Sequence, residues 1–323
     1  MDIPSLGRRQ FVAAGVVSTA LPAFAQGGFG AFVASVAAEA RRAGIREATV
    51  RAAFLGVAPN AHILELDRHQ PEFTLTWPEY LARVVPQSRV DAGRAIYGEV
   101  RPLLAQVQAR FGVEPWVVMG IWGIESGFGQ FQGTYRVVEA LSTLAFEGRR
   151  GAYFRGELIN ALKVLDHGDV SPGRMLGGYA GAMGQPQFMP SSYLRYAVDF
   201  NGDGRRDIWT TRADVFGSIA NYLERNGWAP GVPWGQKVLV TAGAAGMTGR
   251  DNARPLGAWM QAGVRRADGR PFDREDVRGV LVVPDGIAAG QGYMTYSNFQ
   301  AIRRYNPSDF YALAVGTLGY ATT

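Results

Sequence analysis

From Phe29 to about Phe54, apolar residues recur at helical spacing: Phe32, Val36, Ala40, Ile45, Val50 and Phe54. Gly44 interrupts the run and predicts two helices rather than one. Pro71 and Pro78 punctuate the next stretch. A longer amphipathic helix is expected over 87–111, with Val90, Ile96, Val100, Leu103, Leu104 and Val107 on one broad face and Gly112 as its stop. Glu114-Pro115 then reads as a helix start, with an acid for the first turn and a proline at the first position. The "WVVMGIW" that follows is apolar all round, the mark of a helix buried on every side. Helical patterns continue over Val137–Leu144, Tyr153–Leu165, Ser191–Val198 and Arg212–Asn226. After Gly227 the character changes. "KVLVTAG" and "GVLVVPDG" are short, β-branched and bounded by Gly, Pro and Asp, so they read as strands, and "SDFYALAVGTLGYA" returns to helix. With no internal repeat and no long linker, the pattern predicts a mainly α chain whose subdomains form one catalytic unit.

The composition is that of an ordinary globular protein: 323 residues, 47% hydrophobic and 19% charged. The net charge of +5 suits an anionic polymer without selecting one. The arginines are scattered singly or in pairs, with no basic block and no zinc-finger spacing, so nucleic acid is not an expected partner. The chain has no cysteine, which excludes disulfides, thiolate metal sites, cysteine nucleophiles and an N-terminal lipidated cysteine. Its three histidines form no HExxH pattern, and there is no phosphate-binding GxxxxGK[ST]. Residues 1–25 read as an export signal: Arg8-Arg9, an uncharged stretch from Phe11 to Leu21 too short to span a bilayer, and Ala23-Phe24-Ala25 as the cleavage site. The arginine pair followed by Gln10-Phe11 favours the twin-arginine route. The expected mature chain, residues 26–323, is exported, soluble and monomeric, with no transmembrane anchor.

Three stretches carry candidate chemistry. In "GIWGIESGFG", Glu125 ends the apolar helix just before Gly127 and Gly129. Burial and the negative helix end both favour its protonated form, the state a general acid needs. In "GGYAGAMGQPQFMPSS", glycines at 177, 178, 181 and 184 permit close backbone approach. Gln185, Gln187 and Ser191 offer neutral hydrogen-bonding groups, and Tyr179, Phe188 and Tyr193 offer aromatic faces, the combination that suits a sugar. In "DFNGDGRRD", Asp199, Asn201 and Asp203 occupy positions 1, 3 and 5 of a calcium loop, Gly204 position 6, and the Arg205 carbonyl position 7. Position 12 is Thr210 rather than glutamate, leaving Asp214 as the late carboxylate of a longer loop and Asp207 as a ninth-position group.

Together with "GSIANYL" and "NFQAIRRYNPSDFYALAV", these stretches resemble, in order, the membrane-bound lytic transglycosylase B family, glycoside hydrolase family 103. The resemblance covers about Phe29 to Val315. It implies a lysozyme-like core around 105–230, an additional helical subdomain and a small β-rich segment around 228–296, with an EF-hand-like loop and no separate peptidoglycan-binding module. It implies cleavage of the β-1,4 bond between N-acetylmuramic acid (MurNAc) and N-acetylglucosamine (GlcNAc), with 1,6-anhydro ends. By motif match, Glu125 falls on the single catalytic acid. Tyr80, Ser126, Tyr179, Gln187, Met189, Tyr222, Tyr305, Asn306 and Tyr311 fall on the substrate cleft. Asp199, Asn201, Asp203, Arg205 and Asp214 fall on a structural calcium site, with one extra residue ahead of Asp214. No organic cofactor is implied. The partners expected are peptidoglycan strands and cell-wall synthesis proteins, in the periplasm. Members often carry Ser where this chain has Gly178, so any hydroxyl contact to the acid must come from elsewhere, with Ser126 or water as the replacement. A hydrolytic muramidase and a non-catalytic wall-binding protein are the alternatives. The first needs a second carboxylate and the second does not need Glu125.

Overall fold

The computed structural model describes residues 26–68 and 75–323. The export signal expected over 1–25 lies outside them. In chain order the helices are α1 (Gln26–Arg42), α2 (Glu47–Phe54), α3 (Ala61–Arg68), α4 (Trp77–Val84), α5 (Gln87–Phe111) and α6 (Pro115–Ser126), then α7 (Val137–Glu147), α8 (Gly151–His167), α9 (Pro190–Tyr196), α10 (Arg212–Arg225), α11 (Leu256–Gln261), α12 (Ser297–Tyr305) and α13 (Asp309–Thr322). The strands are β1 (Tyr135–Arg136), β2 (Leu176–Gly177), β3 (Gly235–Leu239), β4 (Arg254–Pro255), β5 (Arg265–Arg266), β6 (Arg278–Val282) and β7 (Gln291–Thr295). The chain is mainly α with a small antiparallel sheet. It forms two compact units, whose boundaries fall inside α6 and α10.

The first unit holds the described residues before Phe73 and Trp122–Ile219. Its centre is the α7–α8 pair. Every residue of α7 from Val137 to Ala145 except Glu139 is buried, so this helix is apolar beyond a single stripe. Phe154, Leu158, Leu162 and Leu165 of α8 pack into the same core. Each such side chain contributes about 1.5–3 kcal/mol by leaving water. Both α1 and α2 pack on α8, and α3 packs on α7. Arg149 and Arg150 both pair with Asp67, a carboxylate that is almost fully buried and so requires the two charges beside it. The strands β1 and β2 pair antiparallel, Tyr135 opposite Gly177, which ties the loop after α6 to the glycine-rich segment.

The second unit holds residues 75–121 and Ala220–Thr323. Its five-stranded sheet has the order β4-β6-β7-β3-β5 and is antiparallel throughout. Val238, Leu256, Trp259, Leu281 and Met294 form its core. The α5 helix spans the predicted residues, and Gly112 closes it in the left-handed conformation, φ 66°. Its neighbour α13 packs on α4, α5 and α12. Gly120 permits close packing here, since a Cβ would stand 2.3 Å from the Val315 carbonyl oxygen. One local expectation is corrected. Glu114 precedes α6 instead of entering its first turn, and its carboxylate accepts Trp228 Nε1–H at 2.6 Å and Gly231 N–H at 2.6 Å. Two well-placed donors outcompete the helix dipole for that charge.

Candidate active site

Glu125 sits in the last turn of α6 and is 5% exposed. Residues 117–128 are all buried, as the apolar sequence requires. The helix ends through backbone that doubles back: Gly127 N–H donates to the Gly123 carbonyl and Phe131 N–H to that of Ser126. Ser126 Oγ donates to the Trp122 carbonyl at 2.9 Å and accepts Gly129 N–H at 3.0 Å. That hydroxyl therefore secures the turn, and it is not the free replacement for a family serine that the sequence suggested. Trp122, one turn before Glu125, meets Phe128 and Phe216 edge-on at ring separations of 5.5 and 4.8 Å. Its indole N–H donates to Gln185 Oε1 at 2.7 Å, and Gln185 Nε2 donates to the Trp209 carbonyl at 2.8 Å. The Arg212 guanidinium stands 5.9 Å from the Trp122 ring centre. The sequence gives no sign of Trp122 or Arg212, and it marks Gln185 as a sugar contact rather than as the partner of Trp122 and Trp209, because these partners lie far along the chain.

The glycine-rich segment differs in kind from the expected sugar surface. Tyr179, Phe188 and Tyr193 are buried and present no ring face to solvent. Tyr193 Oη instead donates to the Arg206 carbonyl at 2.6 Å. Ser191 is also committed, its N–H and Oγ–H donating to the buried Glu157 at 2.9 and 2.6 Å. The closeness that the glycines permit is to the fold itself, as at Gly181, where a Cβ would stand 2.4 Å from Leu141 Cδ2. These residues belong to the interior of the first unit, packed on α7 and α8. Of this segment's candidates Gln187, Met189 and Ser191 are half-exposed, and Ser191 is spent on Glu157. Gln187 Nε2 donates to the carbonyls of Gly184 and Gln132, at 2.8 and 3.1 Å. Phe128 and Gln187 are the two non-glycine residues with left-handed φ among the described residues, at 61° and 52°. Such backbone costs about 1–3 kcal/mol and concentrates at functional sites. Here it flanks the acid in one case and forms the amide-bearing turn in the other.

The remaining candidates belong to the second unit and form two groups. The Tyr222 and Tyr305 rings meet at 4.8 Å, tilted by 58°, with Tyr222 Oη donating to the Arg304 carbonyl at 2.6 Å. Asn306 follows as the C-cap of α12, its side-chain oxygen accepting Ser308 N–H. Tyr80 packs on Phe310 and Trp77, at 5.4 and 6.2 Å. Tyr222, Tyr305 and Tyr80 are half-buried, whereas Tyr311 is 1% exposed and offers no open ring face.

In the loop over 199–207, Asp199 accepts the N–H groups of Gly202, Asp203 and Gly204, which folds the chain around the position-1 carboxylate. Gly204 supplies the left-handed turn, φ 87°. Asp203 accepts Arg205 N–H at 2.9 Å and Asn201 Nδ2–H at 3.2 Å. Asp214, fully buried in the first turn of α10, accepts Phe200 N–H and Asp207 N–H, both at 2.8 Å. Asp207 is turned to Trp209 and Thr210 rather than to the loop centre. Among the described residues no three carboxylate or histidine groups gather closely enough to hold a metal. The loop thus has the turn and the donor types for calcium, with its acids satisfied by backbone amides.

The other acids near these motifs are committed. Asp166 accepts from Arg46 at 2.9 Å and Thr49 at 2.6 Å, and Asp169 pairs with Arg206 at 2.6 Å. The sequence profile of the transglycosylase SLT domain matches residues 28–320. The chain belongs to that family. As a transglycosylase SLT-domain protein it is 34% identical, over 262 residues, to membrane-bound lytic murein transglycosylase B of Escherichia coli K12, covering 76% of this chain and 67% of the relative. Pseudomonas aeruginosa SltB3, solved with NAG-anhNAM-pentapeptide, superposes with a TM-score of 0.87 at 40% identity, covering 91% of this chain and 79% of SltB3. Escherichia coli Slt35, solved with calcium, superposes at 0.76 and 29% identity, covering 91% of this chain and 92% of Slt35. The SLT-domain protein described here is an enzyme, a lytic murein transglycosylase. No helix among its described residues is long and apolar enough to cross a membrane.

Proposed function

We propose that this enzyme cleaves the MurNAc–GlcNAc β-1,4 bond and leaves 1,6-anhydro-MurNAc ends, with Glu125 as acid and then base. One observation carries this reading. Glu125 ends a helix that is buried from Val117 onward, while Asp166 and Asp169 are held in ion pairs and Glu157 caps α9 through Ser191. A hydrolase needs a second carboxylate to activate water or to attack the sugar. A transglycosylase takes its nucleophile from the substrate. Glu125 gives its proton to the glycosidic oxygen as the C1–O bond breaks. The N-acetyl oxygen meets the charge developing at C1. Glu125, now a carboxylate, takes the proton of the muramic C6 hydroxyl as O6 bonds to C1, so no water is consumed.

Gln187, Met189, Tyr80, Tyr222 and Tyr305 keep exposed surface and serve as glycan contacts. Tyr179 is buried in the first unit and Asn306 and Tyr311 in the second, and Ser126 secures the turn that carries the acid. The calcium seen in Slt35 would here be held by Asp199, Asn201, Asp203, the Arg205 carbonyl and Asp214, as a structural brace. The peptidoglycan fragments bound by SltB3 and the leader-like residues 1–25 support action on the wall from the periplasm. Replacing Glu125 by Gln tests the acid. Activity on peptidoglycan should fall about a thousandfold with the melting temperature unchanged. Retention of activity would place the acid elsewhere.

A further inference from the structure

An aromatic patch in the second unit takes no part in the chemistry proposed for Glu125. Trp228, Trp116 at the start of α6, and Tyr320 of α13 touch in series. Their ring centres are 5.4 Å apart for Trp228 and Trp116 and 4.6 Å for Trp116 and Tyr320. Trp234 continues the series, 6.2 Å from Tyr320. Trp228 and Trp234 are buried, Trp116 is partly exposed, and Tyr320 is 49% exposed. The rings are fixed by their surroundings. Gly319 lets α13 lie on Trp116, since a Cβ there would stand 2.3 Å from the Trp116 carbonyl oxygen. Gly316 does the same for Trp234, whose ring a Cβ would meet at 2.2 Å. Arg94 Nε donates to the Ala321 carbonyl at 2.7 Å and secures the last turn of α13. Asn298 accepts Ala229 N–H at 2.7 Å and donates to the carbonyls of Ala229 and Val232 at 2.9 and 2.6 Å, which sets the loop that carries Trp228. The Glu114 carboxylate completes the patch. Each of its oxygens accepts one N–H at 2.6 Å, from Trp228 Nε1 and from Gly231, and each keeps a second lone pair for a hydroxyl.

Size and geometry select the occupant. A cation held by aromatic faces sits among several rings, within about 6 Å of their centres. Here the rings lie against one another, tilted by 50° and 59°, and enclose no space for one. A stable protein partner covers about 800 Å² per side. One half-exposed tyrosine and one partly exposed tryptophan offer on the order of 200 Å² at most. That area matches one or two pyranose rings, whose C–H faces lie on aromatic rings and whose hydroxyls donate to a carboxylate. We infer that Trp116 and Tyr320, with Glu114 beside them, form a second glycan-binding site that holds peptidoglycan strands without cutting them, a reading that rests on the proposed action on peptidoglycan. The wall is a polymer of repeated disaccharides, so it can fill this site and the cleft at once. Even a weak second contact then raises the apparent affinity for the wall, and a platform fixed in advance loses little to ordering.

Tyr320→Ala tests the site, made in the Glu125→Gln protein so that strands stay intact. Co-sedimentation with insoluble peptidoglycan should show binding about tenfold weaker than that of Glu125→Gln alone. Co-sedimentation with chitin, a β-1,4 polymer of GlcNAc without peptide stems, should show the same loss. With Glu125 restored, Tyr320→Ala should leave turnover of a soluble GlcNAc–MurNAc tetrasaccharide unchanged, because so short a ligand gains nothing from a second site. Unchanged binding to peptidoglycan by a variant of unchanged melting temperature would overturn the inference. A loss confined to peptidoglycan would assign the contact to the stems and overturn it as well, and an equal fall in tetrasaccharide turnover would do so by placing the effect in the cleft. If Tyr320→Ala melts lower, Tyr320→Leu, which keeps apolar packing without a ring, decides by the same outcomes. Failure of the peptidoglycan reading looks different: Glu125→Gln with Tyr320 intact would then not sediment with peptidoglycan at all.

Discussion

Replacing Gln185 by Leu tests how the acid-bearing helix is held. The amide of Gln185 is 6% exposed and spans two buried groups, the Trp122 indole N–H at 2.7 Å and the Trp209 carbonyl at 2.8 Å. Leucine leaves both without a partner. Each unsatisfied buried group costs about 1–3 kcal/mol, and the added apolar contact returns part of that, for a net loss of about 3 kcal/mol. At about 2–4 °C per kcal/mol for a domain of this size, the melting temperature should fall by about 6–12 °C. Activity should fall further than stability explains, because Trp122 lies one turn before Glu125 and a displacement of about 1 Å costs on the order of a hundredfold. Thermal unfolding followed by near-ultraviolet circular dichroism gives the first quantity. Turnover on peptidoglycan, measured well below the variant's melting point, gives the second. Gln185→Glu separates the two bonds: its carboxylate still accepts from Trp122 but sets an acceptor against the Trp209 carbonyl. A Gln185→Leu protein that melts within about 2 °C of the parent and keeps full turnover would refute the bridge.

Gly181→Ala should destabilise by about 2–3 kcal/mol, since φ is +88° and the new methyl would stand 2.4 Å from Leu141 Cδ2; an unchanged denaturation midpoint would contradict the close approach. Thr49→Val bears on acid stability. The Thr49 hydroxyl is the first cause holding the Asp166 carboxyl below its ordinary range, with Arg46 assisting against burial. That contribution is present above the ordinary carboxylate range and lost as pH falls through the lowered value. The gap in melting temperature between parent and variant should therefore be widest near neutrality and close in acid, whereas a constant gap would contradict it. Calcium at a hundredfold excess over its Kd should stabilise by about 2.7 kcal/mol, and Asp203→Asn should weaken that response; a melting curve indifferent to calcium and chelator would remove the metal from the account.

Local pattern made the helices legible. The bounds of α5 and its glycine stop are readable because one broad apolar face and a left-handed cap are both local features. The β7 strand, "QGYMT", is central to its sheet yet lacks β-branched residues except Thr295, and its pairing with β3 and β6 is what makes it a strand. The candidate site shows the same division. Glu125 stands out as a lone acid on an apolar helix. The roles of Tyr179, Phe188, Tyr193 and Gln185 did not, because an aromatic or amide side chain in a glycine-rich loop reads alike whether it faces a sugar or a core. Gln185 meets Trp122 across 63 positions and Trp209 across 24, and no periodicity carries that information.

In the proposed mechanism a single carboxyl, Glu125, suffices because the substrate supplies its own nucleophile. Digestion of purified peptidoglycan in heavy-oxygen water, followed by mass analysis of the released muropeptides, tests it most directly. The expected products carry anhydro-muramic ends, one water lighter than reducing ends and free of heavy oxygen. Reducing ends that carry heavy oxygen would show that water was the nucleophile and would contradict it.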